Sequence, residues 1–246
     1  MANSINTNYG AAIALQNLNA TNAALSTTQN RISTGQKVSS AKDNGAIFAI
    51  ATTQRANMGA MDAVKNSLQR GQSIVDVALA AGDTATSALQ EMKALAVNIA
   101  SSTGDAQTAY LADYNALGLE VASAISGATF DGVNSLTALG SNAAITAVNT
   151  GSVTAANATA ANVDAAISAT TSALATLGTQ SKSLGRQITF VNKLQDALEA
   201  GVGNLVDADL AKESAKLTAL QTKQQLGVQA LSIANQGSSI LLGLFR

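Results

Sequence analysis

Cysteine, histidine, proline and tryptophan are absent from the 246 residues, and aromatic side chains make up only 3% of them. Without a thiol or an imidazole there is no thiolate nucleophile, no histidine base, no Cys/His metal site and no disulfide. Any catalysis would rest on Ser, Thr, Lys, Tyr or carboxylates alone. Charge is scarce as well, at 12% of residues with a net charge of −1, which leaves no electrostatic footprint for nucleic acid. No stretch approaches the roughly 18 consecutive apolar residues of a membrane span, and residues 1–10 lack the basic start and apolar run of a cleavable signal peptide. No nucleic acid, membrane insertion, small-molecule ligand or cofactor is therefore expected. What is plentiful is alanine, about a fifth of the chain, which favours helices and lets them approach closely.

The placement of charge tells more than its sum. Residues 1–30 contain no Asp, Glu, Lys or Arg, nor do residues 224–245, so 13 of the 14 basic residues and all 15 acidic ones lie between. The ends are not membrane-like, because Asn, Gln, Ser and Thr fill the gaps between Ile5, Tyr9, Ile13, Leu15, Leu18 and Leu25. A helix exposed on a soluble monomer normally carries a charged face, and a neutral polar one implies contact on most sides. These few apolar side chains do not offset the entropy of ordering the segment, so it is expected to fold only against something else. The C-terminal end offers the first partner: Leu210, Leu217, Leu220, Leu231, Ala234 and Leu241 are spaced 7, 3, 11, 3 and 7, a coiled-coil seam.

The interior repeats in sevens. Met61, Leu68, Val75, Gly82, Leu89 and Ala96 form one row, and Val64, Gly71, Ala78, Ala85, Met92 and Ile99 the next, with no polar residue in either. This predicts a helix from about 44 to 100, roughly 80 to 85 Å long, and hence an elongated molecule. Ser40 and Asp43 read as a capping-box-like start, and Ser101 to Gly104 as the break at its end. A second segment carries Ile167, Leu174, Ser181, Ile188, Gln195 and Val202 beside Thr170, Leu177, Leu184, Val191, Leu198 and Leu205, with polar Ser181 and Gln195 expected to set register. A third helix is expected over about 106–128.

Between 130 and 159 the texture changes to short residues with turn signals at Phe130-Asp131-Gly132, Gly140 and Asn149-Thr150-Gly151. Residues 145–148 and 153–155, around the last turn, are the expected β-hairpin, in a stretch whose low complexity suits an exposed loop. Asp207 and Asp209 sit in a helix-boundary sequence and read as helix-capping rather than metal-binding residues. No glycine-rich phosphate loop and no activated nucleophile is evident.

The block Arg31-Ile32-Ser33-Thr34-Gly35, then Ser39-Ser40-Ala41-Lys42-Asp43-Asn44, and later Phe130-Asp131-Gly132-Val133, resemble bacterial flagellin, the filament subunit. Val206-Asp207-Ala208-Asp209-Leu210-Ala211-Lys212-Glu213, Gln224-Gln225-Leu226-Gly227, Ala234-Asn235-Gln236 and the closing Leu244-Phe245-Arg246 extend the resemblance over nearly the whole chain. It departs where Leu205-Val206 stands in place of the Arg-Ile of many members, and it lacks their large outer domains between Thr129 and Ala160. The resemblance implies a compact flagellin with an all-α, elongated fold: a long helical coiled-coil bundle formed by the N- and C-terminal halves, with a small β-hairpin in the middle. Residues 1–40 and 206–246 would form an inner terminal coiled coil, and 41–205 an outer helical core with its hairpin and loop region at about 130–160.

On this reading Ile5, Tyr9, Ile13, Leu18, Leu25, Ile32, Leu210, Leu217, Leu220, Leu231, Leu241, Leu244 and Phe245 serve assembly. Met61, Leu68, Val75, Leu89, Met92, Ile99, Leu174, Leu184, Ile188, Val191 and Leu198 build the core bundle. The implied protein is a non-enzymatic homopolymer, made of identical or sister flagellins, that works in swimming motility. It would be exported unfolded by the flagellar type III apparatus to the extracellular filament, with an export chaperone, cap and hook-junction proteins as partners. The alternatives are a hook-filament junction protein or a secreted helical effector or adhesin.

Overall fold

The computed structural model describes residues 8–244, with side chains described through Gln236. Helix α1 covers Tyr9–Thr34, α2 Gly45–Ser101 and α3 Gly104–Gly127. Strands β1, Thr129–Phe130, and β2, Val133–Asn134, precede two single-turn helices, α4 at Thr137–Gly140 and α5 at Ala143–Thr146. Helices α6, Ala160–Val206, and α7, Leu210–Leu244, complete the chain. The described residues form two compact units. One is Ala60–Gln195; the other joins the residues up to Gly59 with those from Asp196 on.

The central unit, Ala60–Gln195, holds the larger core, in which Leu89, Met92, Ile99, Tyr114, Val121, Ile145, Val148 and Val163 are buried together. Its part of α2 turns both heptad rows inward except Val64, which is exposed. Helix α6 lies antiparallel to α2. A Cβ on Gly71 would touch Leu184 and one on Gly82 would collide with Leu174, so glycine lets the helices close around each leucine. The polar residues expected to set register cross the same interface: Gln72 Nε2 donates to Ser181 Oγ at 2.5 Å and Gln195 Nε2 to Asp62 Oδ1 at 2.7 Å. Lys93 pairs with Asp164 at 2.6 Å. Helix α3 turns back from α2, tied by the Gln107 side chain, which donates to the carbonyls of Ile99 and Ser102.

The hairpin is not where the sequence placed it. Thr129 pairs with Asn134 and Phe130 with Val133, around Asp131 and Gly132 at φ 51° and 75°. Positive φ at both turn residues matches the right-handed strand twist, and Asp-Gly is the dipeptide that tolerates it most readily. Over 145–155 the backbone finds other partners. Ile145 lies in α5, which Asn142 caps by accepting from the Ala144 amide. The Asn115 side chain takes both backbone groups of Val153, accepting from its N–H at 2.7 Å and donating to its carbonyl at 3.2 Å. Nor is this stretch an exposed loop: Leu136, Leu139, Ile145, Val148, Val153 and Ala158 belong to the core.

In the terminal unit α1 ends at Gly35, whose φ of 70° provides the left-handed turn that stops a helix. The start of α2 is capped by Asn44, whose Oδ1 accepts from the amides of Ala46 and Ile47. Asp43 does not close a capping box. Its carboxylate instead accepts from the amides and hydroxyls of Ser39 and Ser40, and the Ser40 and Ser39 amides hold its pKa below the usual value. Asp209 does cap α7, accepting from the Lys212 amide. The only fully buried apolar cluster here among the described residues is Ala51, Val202 and Val206, with Ile47 packed against it.

Candidate assembly surfaces

Helix α1 needs one apolar face to pack at all, and its sequence supplies a thin one. Ala11, Ala14, Leu18, Thr21, Leu25, Thr28 and Ile32 point inward at alternating steps of three and four, the repeat that keeps two helices in contact along their length. Helix α7 answers with Glu213, Leu217, Leu220, Gln224, Gly227, Leu231 and Ala234. The pairing is antiparallel. Asn8 Nδ2 donates to the Ala234 carbonyl at 2.8 Å, Gln224 Nε2 to Asn22 Oδ1 at 2.8 Å, and Arg31 Nη1 to Glu213 Oε1 at 3.1 Å. Leu18 sits over Gly227, where a Cβ would lie 3.3 Å from its Cδ1.

At the base of this pair both strands leave the helical path at one level. Gln36 and Asp207 form an antiparallel bridge, the Lys37 amide donates to the Val206 carbonyl at 2.7 Å, and the Ala208 amide to Gly35 at 2.9 Å. Lys37 Nζ adds a bond to the Asn204 carbonyl. Backbone groups that two helix ends leave open are thus shared between them.

The expected assembly residues divide into three sets. Leu18, Leu25, Ile32, Leu217, Leu220 and Leu231 lie on the inner faces of the pair. Tyr9, Ile13 and Leu210 do not: they are 74%, 44% and 51% exposed, outside the seam formed within the chain. Leu241 and Leu244 fall on the α7 backbone, but their side chains, like Ile5 and Phe245 altogether, lie outside the described residues. The gap of 11 between Leu220 and Leu231 is filled by Gln224 and Gly227. Of the expected core residues, Val75, Leu89, Met92, Ile99 and Val191 are buried, and Met61, Leu68, Leu174, Leu184, Ile188 and Leu198 are half-buried on the inner sides of α2 and α6.

Sequence reading missed Thr21 and Thr28, the two buried polar residues of α1, because a count of apolar positions skips threonine. A count of sevens from Ala14 reaches both. It also missed the Arg31–Glu213 pair, in which the Glu213 side chain keeps only 12% of its exposure. No group of three potential metal-ligating residues occurs among the described residues, and no described helix is long and apolar enough to cross a membrane.

The family model of the bacterial flagellin N-terminal helical region matches residues 5–142, and that of the C-terminal helical region residues 160–245. The chain belongs to the bacterial flagellin family. It is 52% identical to flagellin FljM and 54% identical to flagellin FljN of Caulobacter vibrioides, each comparison covering 99% of both chains. A flagellin of Brucella melitensis is 35% identical over 99% of both. As a flagellin, the chain is a structural filament subunit of bacterial motility, and its surfaces are to be read for packing. The two matched segments flank residues 143–159, so the α1/α7 pair and the long α2 and α6 helices all fall within them.

One core residue of this flagellin is poorly satisfied. Tyr114 is fully buried, its hydroxyl has no hydrogen-bond partner among the described residues, and burial pushes its pKa up to about 12. Replacing it by phenylalanine removes a desolvated hydroxyl without emptying the site, so Tyr114→Phe should stabilise the central unit by about 1 kcal/mol at neutral pH. The sign of the pH effect follows from the two states. The unfolded chain gives up the phenolic proton near 10, the folded chain only near 12. Between those values the folded state binds more protons and stability falls as pH rises. Melting curves at pH 8 and pH 11 should therefore show a smaller alkaline loss for Tyr114→Phe than for the parent; equal losses would remove burial of this hydroxyl as the cause.

Proposed function

We propose that this flagellin polymerises into the filament through residues 1–40 and 206–246, which order fully only on assembly, while residues 41–205 pack between neighbouring subunits outside them. The observation that carries the reading is the composition of the α1/α7 pair. Thr21 and Thr28 are its fully buried α1 positions, and the buried apolar residues of the terminal unit, among those described, are Val38, Ala51, Val202 and Val206. Such a seam buries too little apolar surface to hold two helices of 26 and 35 residues by itself. The same pair leaves Tyr9, Ile13, Leu210, Leu226 and Ile233 facing outward, where further copies would cover them. The break at Gly35 and Val206 supports the boundary of the ordering segment.

Export in unfolded form by the flagellar type III apparatus, a chaperone on the C-terminal segment, and contacts with cap and hook-junction proteins at the extracellular filament complete the proposal. A chain without cysteine, and hence without disulfides, is compatible with that route. The test is electron microscopy of the purified protein after depolymerisation and reassembly, with limited proteolysis of the free monomer. Long tubular filaments, and cleavage that trims both ends of the monomer to about residues 40 and 206, are expected. A discrete oligomer, or a monomer with protected ends, would favour the junction-protein or effector reading.

A further inference from the structure

The central unit carries two surface features of opposite charge that its own fold leaves unused. On α6, Lys182, Arg186 and Lys193 are the only charged residues from 165 to 195, and Phe190 stands among them, 64% exposed. Arg186, Phe190 and Lys193 follow an i, i+4, i+7 spacing and share one helix face. At ~1.5 Å rise per residue the two cations bracket the ring, about 6 Å below and 4.5 Å above it. Within one copy of the chain the ring stays largely in water.

The second feature is a groove of about 500 Å³ between α2 and α3. Leu95 and Leu117 line its floor, Ala94 and Ala116 leave room between them, and Glu91 and Asp113 stand on the two rims. Helix α3 contributes Asp105, Asp113 and Glu120 and no Lys or Arg. Neither the α3 carboxylates, Glu91, nor the α6 cations enter an ion pair among the described residues, where the pairs form elsewhere.

From this complementarity we infer that the groove receives Phe190 of a second copy of the chain, with Arg186 and Lys193 meeting the carboxylates of Asp113 and Glu91. The inference rests on the filament reading and names one contact within it. Shape and charge both match: an aromatic knob between cations enters an apolar slot between anions. Because knob and slot are different patches of the same chain, the contact is head-to-tail. A head-to-tail contact propagates into an open assembly when its rotation does not close a ring, which is what a filament requires.

The experiment measures the critical concentration for polymerisation of the full chain by sedimentation. Phe190→Ala, the E91K/D113K pair and the R186E/K193E pair should each raise it about tenfold or more, as loss of an interface anchor does. The changed side chains are exposed, so melting and helix content of the monomer should stay unchanged. Combining both reversed pairs in one chain should restore the critical concentration to within about twofold of the parent. A parent that polymerises while the variants match it, or reversed pairs that fail to rescue each other, would overturn this contact alone and leave the groove to a different protein partner. A parent chain that forms no filament under any condition would overturn the filament reading, and this contact with it.

Discussion

Flagellin lacking residues 210–246 is expected to form no sedimentable filament at concentrations where the full chain polymerises completely, while its central unit melts as before. The physical reason lies in where the two cores are. Leu89, Met92, Ile99, Tyr114 and their neighbours are buried by one another within Ala60–Gln195, so nothing in that core is lost with α7. Removing α7 instead strips α1 of Leu217, Leu220 and Leu231, and of Glu213, the partner of Arg31. The remaining helix would carry a neutral polar surface with one narrow apolar stripe and no cover, a composition that does not hold a helix in water. A rise of at least about 100-fold in critical concentration, equivalent to about 3 kcal/mol per subunit, is the expected size. Deleting residues 1–34 should do the same and also keep the protein out of the medium, the N-terminal segment being the part through which the proposed type III export would act. Sedimentation, calorimetry and assay of the medium check all three parts. Filaments at normal yield from either truncation would remove the terminal pair from the assembly mechanism.

Gly118→Ala is the second change with a large expected effect, and it acts on the other unit. A Cβ at this position would lie 2.5 Å from the Val148 carbonyl oxygen and 3.4 Å from Asn149 Cα. Both are backbone atoms, so no rotamer change relieves the clash. The segment after α5 must move, and with it Val148 and Val153, which are buried in the core. The hydrogen bonds of Asn115 to Val153 sit on the same helix and would be drawn out of line. A cost of about 2–3 kcal/mol, at the upper end of overpacking, corresponds to a melting temperature lower by about 6–12 °C. Gly82→Ala offers the control: the atom it meets is Cδ2 of Leu174, a side chain that can turn away, so the loss there should be smaller. Equal losses for the two variants would mean that the loop after α5 yields as easily as a leucine.

Much of this fold could be read from the chain alone because helices declare themselves by local spacing. The twelve-position heptad row of α2 and the paired rows of α6 require no knowledge of the partner, since a period near 3.5 places the side chains on one face wherever the helix lies. The all-α class and the helix from about 44 to 100 followed in the same way, and the neutral character of the ends from the placement of charge. The register residues Ser181 and Gln195 were visible as polar interruptions in an apolar row.

Contacts between segments distant in sequence were decided only by the tertiary structure. The short hairpin formed at Asp131-Gly132 rather than around Gly151, because Asn115, 38 residues before Val153, supplied the hydrogen bonds that a neighbouring strand would have given. The stretch from Leu136 to Ala158 looked like an open loop from its composition, yet its few apolar side chains fill the space that α2, α3 and α6 leave. Tyr9, Ile13 and Leu210 fell outside the seam because small shifts in helix rotation decide which of several apolar residues faces in. The Arg31–Glu213 pair was hidden because a charge is tolerated at a seam only opposite a partner, and that partner lies 182 residues away in the chain. Thr21 and Thr28 were hidden because a count of apolar positions skips threonine and only the facing helix buries them; Thr21 finds its hydrogen bond within α1, at the Asn17 carbonyl.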